Sequence, residues 1–377
     1  MAAPRILVVG LGELGSAVLA LLCRELPATA VVRVLSRDGA AARTAANLAV
    51  QGALQLGRPP EVTCGAVDVR NGDQAATAIA EFRPDIVFGA LTWQSWWVTS
   101  TLPPRASARI AEARFGPWLP MHLAPVRHLM TAVREAGSDA IVVNAAFPDA
   151  VHPVLDAVGL SPDLGIGNIA NVVPGVRLGL ADRLGVPVER LGVRLYAAHY
   201  VSHRASRVGD AGEAGFVVRV LLDGHDITDE VGPGNPFACL PTRYRRPGGR
   251  DGRLMTACSA VTVLRALLGA DGTDVHAPGP GGLPGGYSVR VSATGAEVNI
   301  PPGSCADRLV EVNLGGLAAD GIASIDARGG VTFRDREAGV MADVLGYECS
   351  HLPLDDVDAR AEELAGRYAR YASAARS

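Results

Sequence analysis

Apolar positions along the chain switch period at regular intervals. In the first half, short continuous apolar runs alternate with stretches whose apolar residues recur every three or four positions. The segments "RILVVG" (5–10), "AVVRVLS" (30–36), "EVTCGAVDV" (61–69), "DIVFGAL" (85–91) and "AIVVNAAFP" (140–148) read as buried strands. Between them, "SAVLALLCREL", "GAAARTAANLAVQGALQ", "DQAATAIAEF" and "MHLAPVRHLMTAVREAG" carry helical spacing. Strands alternating with helices of this length predict parallel βαβ units in an α/β, doubly wound sheet. No internal repeat at solenoid spacing interrupts the pattern.

The second half is patterned differently. Helical spacing near "VRLGLADRLG" and "LMTACSAVTVLRALLG" is interspersed with predicted strands at "RLGVRLYAAHY", "GFVVRVLLDG", "YSVRVSATGAEVNI" (287–300) and "RLVEVNLGGL" (308–317). The last two are expected to be consecutive antiparallel strands. The Gly/Pro-rich "GADGTDVHAPGPGGLPGG" (269–286) reads as a connector, a loop or a flexible flap. "DDVDARAEELAGRYARYASAA" closes the chain as a surface helix. The expectation is a Rossmann nucleotide-binding domain over residues 1–150 and an α+β domain with antiparallel strands over 151–377.

Composition narrows the partner. At 377 residues the chain is long enough for two cores, and its 20% charged content is that of an ordinary globular protein. A net charge of −4 argues against nucleic acid or an anionic membrane, leaving a small-molecule substrate. No run approaches the roughly eighteen apolar residues of a membrane span. The N-terminus enters a strand without a signal-peptide pattern, so a cytoplasmic location is expected. Six scattered cysteines without a C-x-x-C pair read as reduced, mostly buried thiols.

The sharpest motif is Gly10-Leu11-Gly12-Glu13-Leu14-Gly15, which closes a predicted strand and opens a predicted helix. Its glycines serve a tight turn, a close approach of backbone to a pyrophosphate, and close helix–strand packing. The helix start then offers unpaired N–H groups to the anion. At the end of the second strand an acidic residue would bind the ribose of NAD, whereas arginine suits the 2′-phosphate of NADP. The sequence there is Ser36-Arg37-Asp38, so NADP is expected over NAD. Asp38 keeps NAD open if the strand runs longer, and Arg37 could be an ordinary solvated side chain. Asp68 and Val69 should lie near the adenine, and Ala90, Leu91 and Thr92 at the fourth strand's exit complete the cofactor contacts.

The order of features resembles the lactate/malate dehydrogenase superfamily, whose fold is shared with the family 4 glycosidases. The arginines Arg105 and Arg109 after "DIVFGAL", the strand "IVVNAAFPDAVHPVL", the turn and helix "GIGNIANVVPGVRLGLADRLGVPVERL" and the strand "VRLYAAHYVSHRASR" carry that resemblance over most of the chain. It implies a homodimer or homotetramer and a hydride transfer. His199 would then be the acid/base and Asn144 a positioning group near the reacting oxygen. The sequence reads "AAHY" where "GEHG" is expected. The orienting Asp and the carboxylate-clamping Arg of the family fall near Val172 and Gly175, with Arg177 close by.

By the same resemblance, Trp93, Trp96 and Trp97 would begin a loop closing over the nicotinamide. There they offer an apolar wall to the substrate; a subunit interface or local packing is the alternative. Arg105, Arg109 and His203 are further substrate-binding candidates. In a helix His199 and His203 share a face, but no cysteine or carboxylate stands at matching spacing, so no metal is expected. Three other functions stay open: a saccharopine- or opine-type reductase, a metal-dependent hydrolase like the family 4 glycosidases, and a non-catalytic nucleotide sensor.

Overall fold

A computed structural model of the chain describes residues 3–376. Six strands, β1 (Arg5–Val9), β2 (Val31–Ser36), β3 (Glu61–Ala66), β4 (Ile86–Gly89), β5 (Ile141–Asn144) and β6 (Leu164–Gly165), form one parallel sheet in the order β3-β2-β1-β4-β5-β6. Helices α1 (Glu13–Glu25), α2 (Gly39–Leu54), α3 (Gly72–Phe82), α4 (Pro104–Ala111), α5 (Leu119–Glu135) and α6 (Pro148–Asp156) accompany it. This is the doubly wound order whose carboxyl edge holds ligands where the strand order reverses, between β1 and β4. Ile6, Leu7, Val8, Val87 and Phe88 are fully inaccessible, as expected of strands covered on both faces. The sheet runs past residue 150, since β6 lies at Leu164–Gly165.

Beyond it come α7 (Val173–Leu184), β7 (Leu191–Tyr196), α8 (His199–Val208), β8 (Val217–Leu222), β9 (His225–Asp226), α9 (Thr228–Val231) and α10 (Arg253–Leu267). They are followed by β10 (Thr273–Pro278), β11 (Gly286–Ser292), β12 (Gly295–Val298), α11 (Ala306–Ala319), β13 (Ile322–Ile325), β14 (Val331–Phe333), α12 (Asp335–Leu345), β15 (His351–Leu352) and α13 (Val357–Arg376). Three small antiparallel sheets result: β7-β8-β9, β10-β11-β12 and β13-β14-β15. Their cores merge with that of the large sheet. Tyr196, Val263 and Val289, for example, share one apolar cluster with Ile6 and Phe88.

Two expectations are corrected. Residues 308–317 are not a strand but the body of α11, whose buried Leu309, Val312, Asn313, Gly316 and Leu317 recur at helical spacing. The segment 269–286 is no flap. It contains β10, paired with β11 from Thr273↔Val291 to Pro278↔Gly286, with Val275 and Ala277 buried between more exposed neighbours. The six cysteines are free, but Cys258 and Cys305 are exposed and only Cys23 and Cys349 are buried. Among the described residues, no helix is long and apolar enough to cross a membrane.

Candidate active site

The glycine-rich turn is built by close approach. Gly10 adopts φ +92°, and a Cβ there would come within 2.6 Å of Ala90 O and 2.9 Å of Leu91 Cδ2. A Cβ on Gly15 would collide with Gly10 O. Gly12 is different, for nothing lies within 4 Å of where its Cβ would be. It is the N-cap of α1 and supplies no side-chain acceptor to the first-turn N–H groups. Open space over unpaired amides at a helix start fits a dinucleotide's diphosphate. Glu13 pairs with Arg250 at 2.7 Å, while its Oε2 is buried without a hydrogen bond. Leu11 and Leu14 pack against the apolar cluster under the sheet.

At the end of β2 the Asp38 carboxylate caps α2, accepting from the N–H of Ala40 at 3.0 Å and of Ala41 at 2.9 Å. Arg37 beside it is exposed and makes no ion pair among the described residues. Ser36 is half-buried and its carbonyl accepts from Val67 N–H. Past β3, Asp68 is bound by Arg70, whose hydrogen bonds hold the carboxyl below its ordinary pKa, with Arg37 adding to the effect. Val69 is buried behind it.

A cluster of candidate catalytic groups gathers around His199, the first residue of α8. Its Nδ1 meets Asp320 Oδ2 at 2.8 Å and its backbone N–H donates to Asp149 Oδ1 at 2.6 Å. Burial opposes protonation of the ring, but the charge and hydrogen bond of Asp320, with Asp149 behind, outweigh it and raise the pKa. Asp149 is fully buried and also accepts from Asn168 Nδ2. Burial pushes its pKa up to about 6 in spite of His199 and Asn168.

Both carboxylates arrive through tight local structure. Asp149 sits in the first turn of α6, directly after β5, where Phe147 takes left-handed backbone at φ +41°. Asp320 ends α11, which lies close because Gly316 faces Ala198; a Cβ there would be 2.5 Å from that residue's Cβ. The Asp320 carbonyl also accepts from Gly116 N–H at 2.7 Å. That contact brings Phe115 onto His199, ring centroids 4.6 Å apart, with Phe147 edge-on at 5.4 Å. His122, buried on α5, touches the same Phe115 ring at 5.0 Å, and its Nδ1 meets Thr92 Oγ1 at 3.2 Å. Burial, then the His199 charge, lower the His122 pKa to about 3, so its ring is neutral. Through Asp149 and Thr92 the centre is tied to the carboxyl ends of β5 and β4.

The expected site residues divide. Asn144 is buried, with Oδ1 accepting from Ala146 N–H at 2.8 Å and Nδ2 donating to Ala146 O at 3.0 Å and reaching His152 Nε2 at 3.2 Å. Those bonds shape the turn that presents Phe147 and Asp149. Trp96 meets the His203 ring edge-on at 6.2 Å, and His203 stacks on His199 at 5.8 Å. Trp97 lies beneath Arg250, whereas Trp93 faces Arg70 and the core. The segment after β4 is a six-residue 3₁₀ helix (Trp96–Thr101) followed by α4, on which Arg105 and Arg109 stand exposed. Arg177 holds the carbonyls of Val188 and Leu191. Sequence reasoning missed Asp320, Asp149, His122 and Phe115. Asp149 alone had a signal, its place just after the asparagine strand.

No family model matches the chain, and no curated protein matches it by sequence. Solved structures do share its fold. Malate dehydrogenase of Cryptosporidium parvum superposes with a TM-score of 0.58 at 14% identity, covering 84% of this chain and 98% of its own. Lactate dehydrogenase of Eimeria maxima, solved with NADH and oxamate, gives 0.57 at 14% identity over 84% and 92%. Malate dehydrogenase of Plasmodium falciparum with NADH gives 0.54 at 12% over 84% and 96%. The chain therefore has the lactate/malate dehydrogenase fold.

Proposed function

Proceeding from the fold of lactate and malate dehydrogenases, we propose that this chain is an NADP-dependent oxidoreductase acting on a carbonyl or imine carbon of a small, partly apolar substrate. The observation that carries this reading is the His199–Asp320 pair at the carboxyl edge of β4 and β5, the same sheet edge on which the open glycine-rich turn follows β1. The amides at the start of α1 would hold the diphosphate, Ser36 and Arg37 the 2′-phosphate, Asp68 and Val69 the adenine side, and Ala90 to Thr92 the nicotinamide end. The cofactor, when bound, would supply the hydride as NADPH or accept it as NADP+. The exposed Arg37 at the end of β2 supports NADP over NAD, while Asp38 beside it gives its Oδ1 to the cap of α2.

The proton belongs to His199. Asp320 holds Nδ1, which leaves Nε2 to give a proton to the carbonyl oxygen in reduction and to take it back in oxidation. Asp320 favours the imidazolium that donates, as an orienting carboxylate should. Neutral His122 adds a second polar nitrogen, and Phe115 and Phe147 keep water from the pair. Trp96 and Trp97 form the apolar wall. Asn144 acts by fixing the turn before Asp149. The test is NADPH consumption with a panel of aldehydes, ketones and imines, compared with His199→Gln. Turnover should fall about a hundredfold or more while NADPH affinity holds. Undiminished turnover in the variant removes His199 from the reaction.

A further inference from the structure

The side chain of Arg246 is half-buried against α8. Among the described residues its one side-chain hydrogen bond runs from Nη2 to Ser206 Oγ at 3.2 Å. Burial lowers its pKa and no neighbouring carboxylate raises it. Among the described residues nearby, Arg204 is matched with Asp210, Arg243 with Asp182 and Arg250 with Glu13, and the arginines without a carboxylate partner, Arg207, Arg245 and Arg253, are exposed to water. A desolvated cation without a counter-ion is costly, so its persistence calls for an anion supplied from outside.

Its position says where that anion sits. Ser206 stands on α8 seven residues after His199, about 10 Å along the helix. His199, His203 and Ser206 follow at helical spacing on one face, and Trp96 closes against that face at His203. Ser206 Oγ donates to Ser202 O at 3.0 Å, so its lone pairs face Arg246 and hold the guanidinium in place. The position where the family resemblance expects a carboxylate-clamping Arg is unavailable, because a Cβ on Gly175 would press on Leu240 at 2.5 Å. Leu240 belongs to the same long segment that carries Arg246.

Resting on the oxidoreductase reading, we infer that Arg246 is the anion anchor of the substrate site, and that the substrate carries a carboxylate two helical turns from its reacting carbon, across a planar or apolar body lying along the α8 face that His203 and Trp96 border. One guanidinium, with a fork suited to two oxygens, matches a single carboxylate. Such a compound differs from a 2-hydroxy acid, whose carboxylate adjoins the reacting carbon.

The experiment is calorimetric binding of phenylglyoxylate, 4-formylbenzoate and 4-formylcinnamate, each beside its methyl ester, to the full chain with and without NADPH. The expected result is rising preference for acid over ester with length, at least tenfold for 4-formylcinnamate. Arg246→Gln should abolish that preference, Arg246→Lys keep part of it, and Arg245→Ala leave it intact. Equal binding of acids and esters throughout, strongest preference for phenylglyoxylate, or a preference unchanged in Arg246→Gln would overturn the assignment. An Arg246-dependent preference without NADPH oxidation would uphold the anchor and sink the oxidoreductase reading alone. His199-dependent oxidation without acid preference would do the reverse.

Discussion

His199 is pulled by two carboxylates that differ in kind. Asp320 meets the ring and Asp149 the backbone, and both favour the imidazolium against burial. A His with a raised folded pKa is protonated over a wider range, so reduction that needs its proton persists below that pKa and fades above it. Asp320→Asn should move the fall of the reduction rate to lower pH and cut turnover by about tenfold to a hundredfold. An unshifted pH profile would show that Asp320 does not tune the ring. At the cofactor, Arg37→Ala should weaken NADPH by about tenfold and leave NADH unchanged, since a phosphate contact of this kind carries about 1.5–3 kcal/mol at most. Equal titrations of both nucleotides before and after would refute the 2′-phosphate assignment. The places of His199 and Arg37 just after strands were legible in the sequence, because the apolar runs before them end there. Asp320 was not, since 121 residues separate it from its ring and only packing joins them.

Elements explain why the site assembles. Residues 308–317 carry enough β-branched and apolar side chains to suggest a strand. Their true period is that of α11, and the small Gly316 lets this helix reach Ala198. Gly316→Leu should force the two helices apart, destabilise the chain by about 1–3 kcal/mol and lower the His199 pKa by removing Asp320. Retention of both stability and pH profile in that variant would show that the close approach is dispensable. The Asp38 cap separates two roles for one carboxylate. Asp38→Ala should cost about 1 kcal/mol of stability from α2 while NADPH affinity does not fall. A loss of NADH or NADPH binding without a loss of stability would return Asp38 to the ribose.

The molecule as a whole keeps several imidazoles neutral. His152 lies between Asn144 Nδ2 and Gly279 O, a pattern that needs one donor and one acceptor nitrogen. His276 Nε2 accepts from Leu195 N–H at 3.1 Å. Burial lowers both to about 4, and His122 to about 3. A lowered folded pKa stabilises above the unfolded value near 6.5, and that stability is lost as pH falls towards the folded value. Asp149, raised to about 6, works the other way between its ordinary 3.8 and 6, as does His199 above 6.5, but three histidines outweigh them. Thermal unfolding should therefore move to lower temperature as pH drops from about 7 to about 4.5. A midpoint that stays constant or rises over that interval would contradict this balance.

Sequence alone determined the parallel sheet, the glycine turn and the histidine at a strand end, because each follows from local period and backbone freedom. Tertiary structure decided which carboxylates meet His199, that the half-buried Arg246 meets Ser206 rather than a carboxylate, and that residues 273–278 pair as a strand rather than hang in a flap. Those are contacts between segments 40 to 121 residues apart or between neighbours in a sheet, set by packing and desolvation, and no local pattern encodes them.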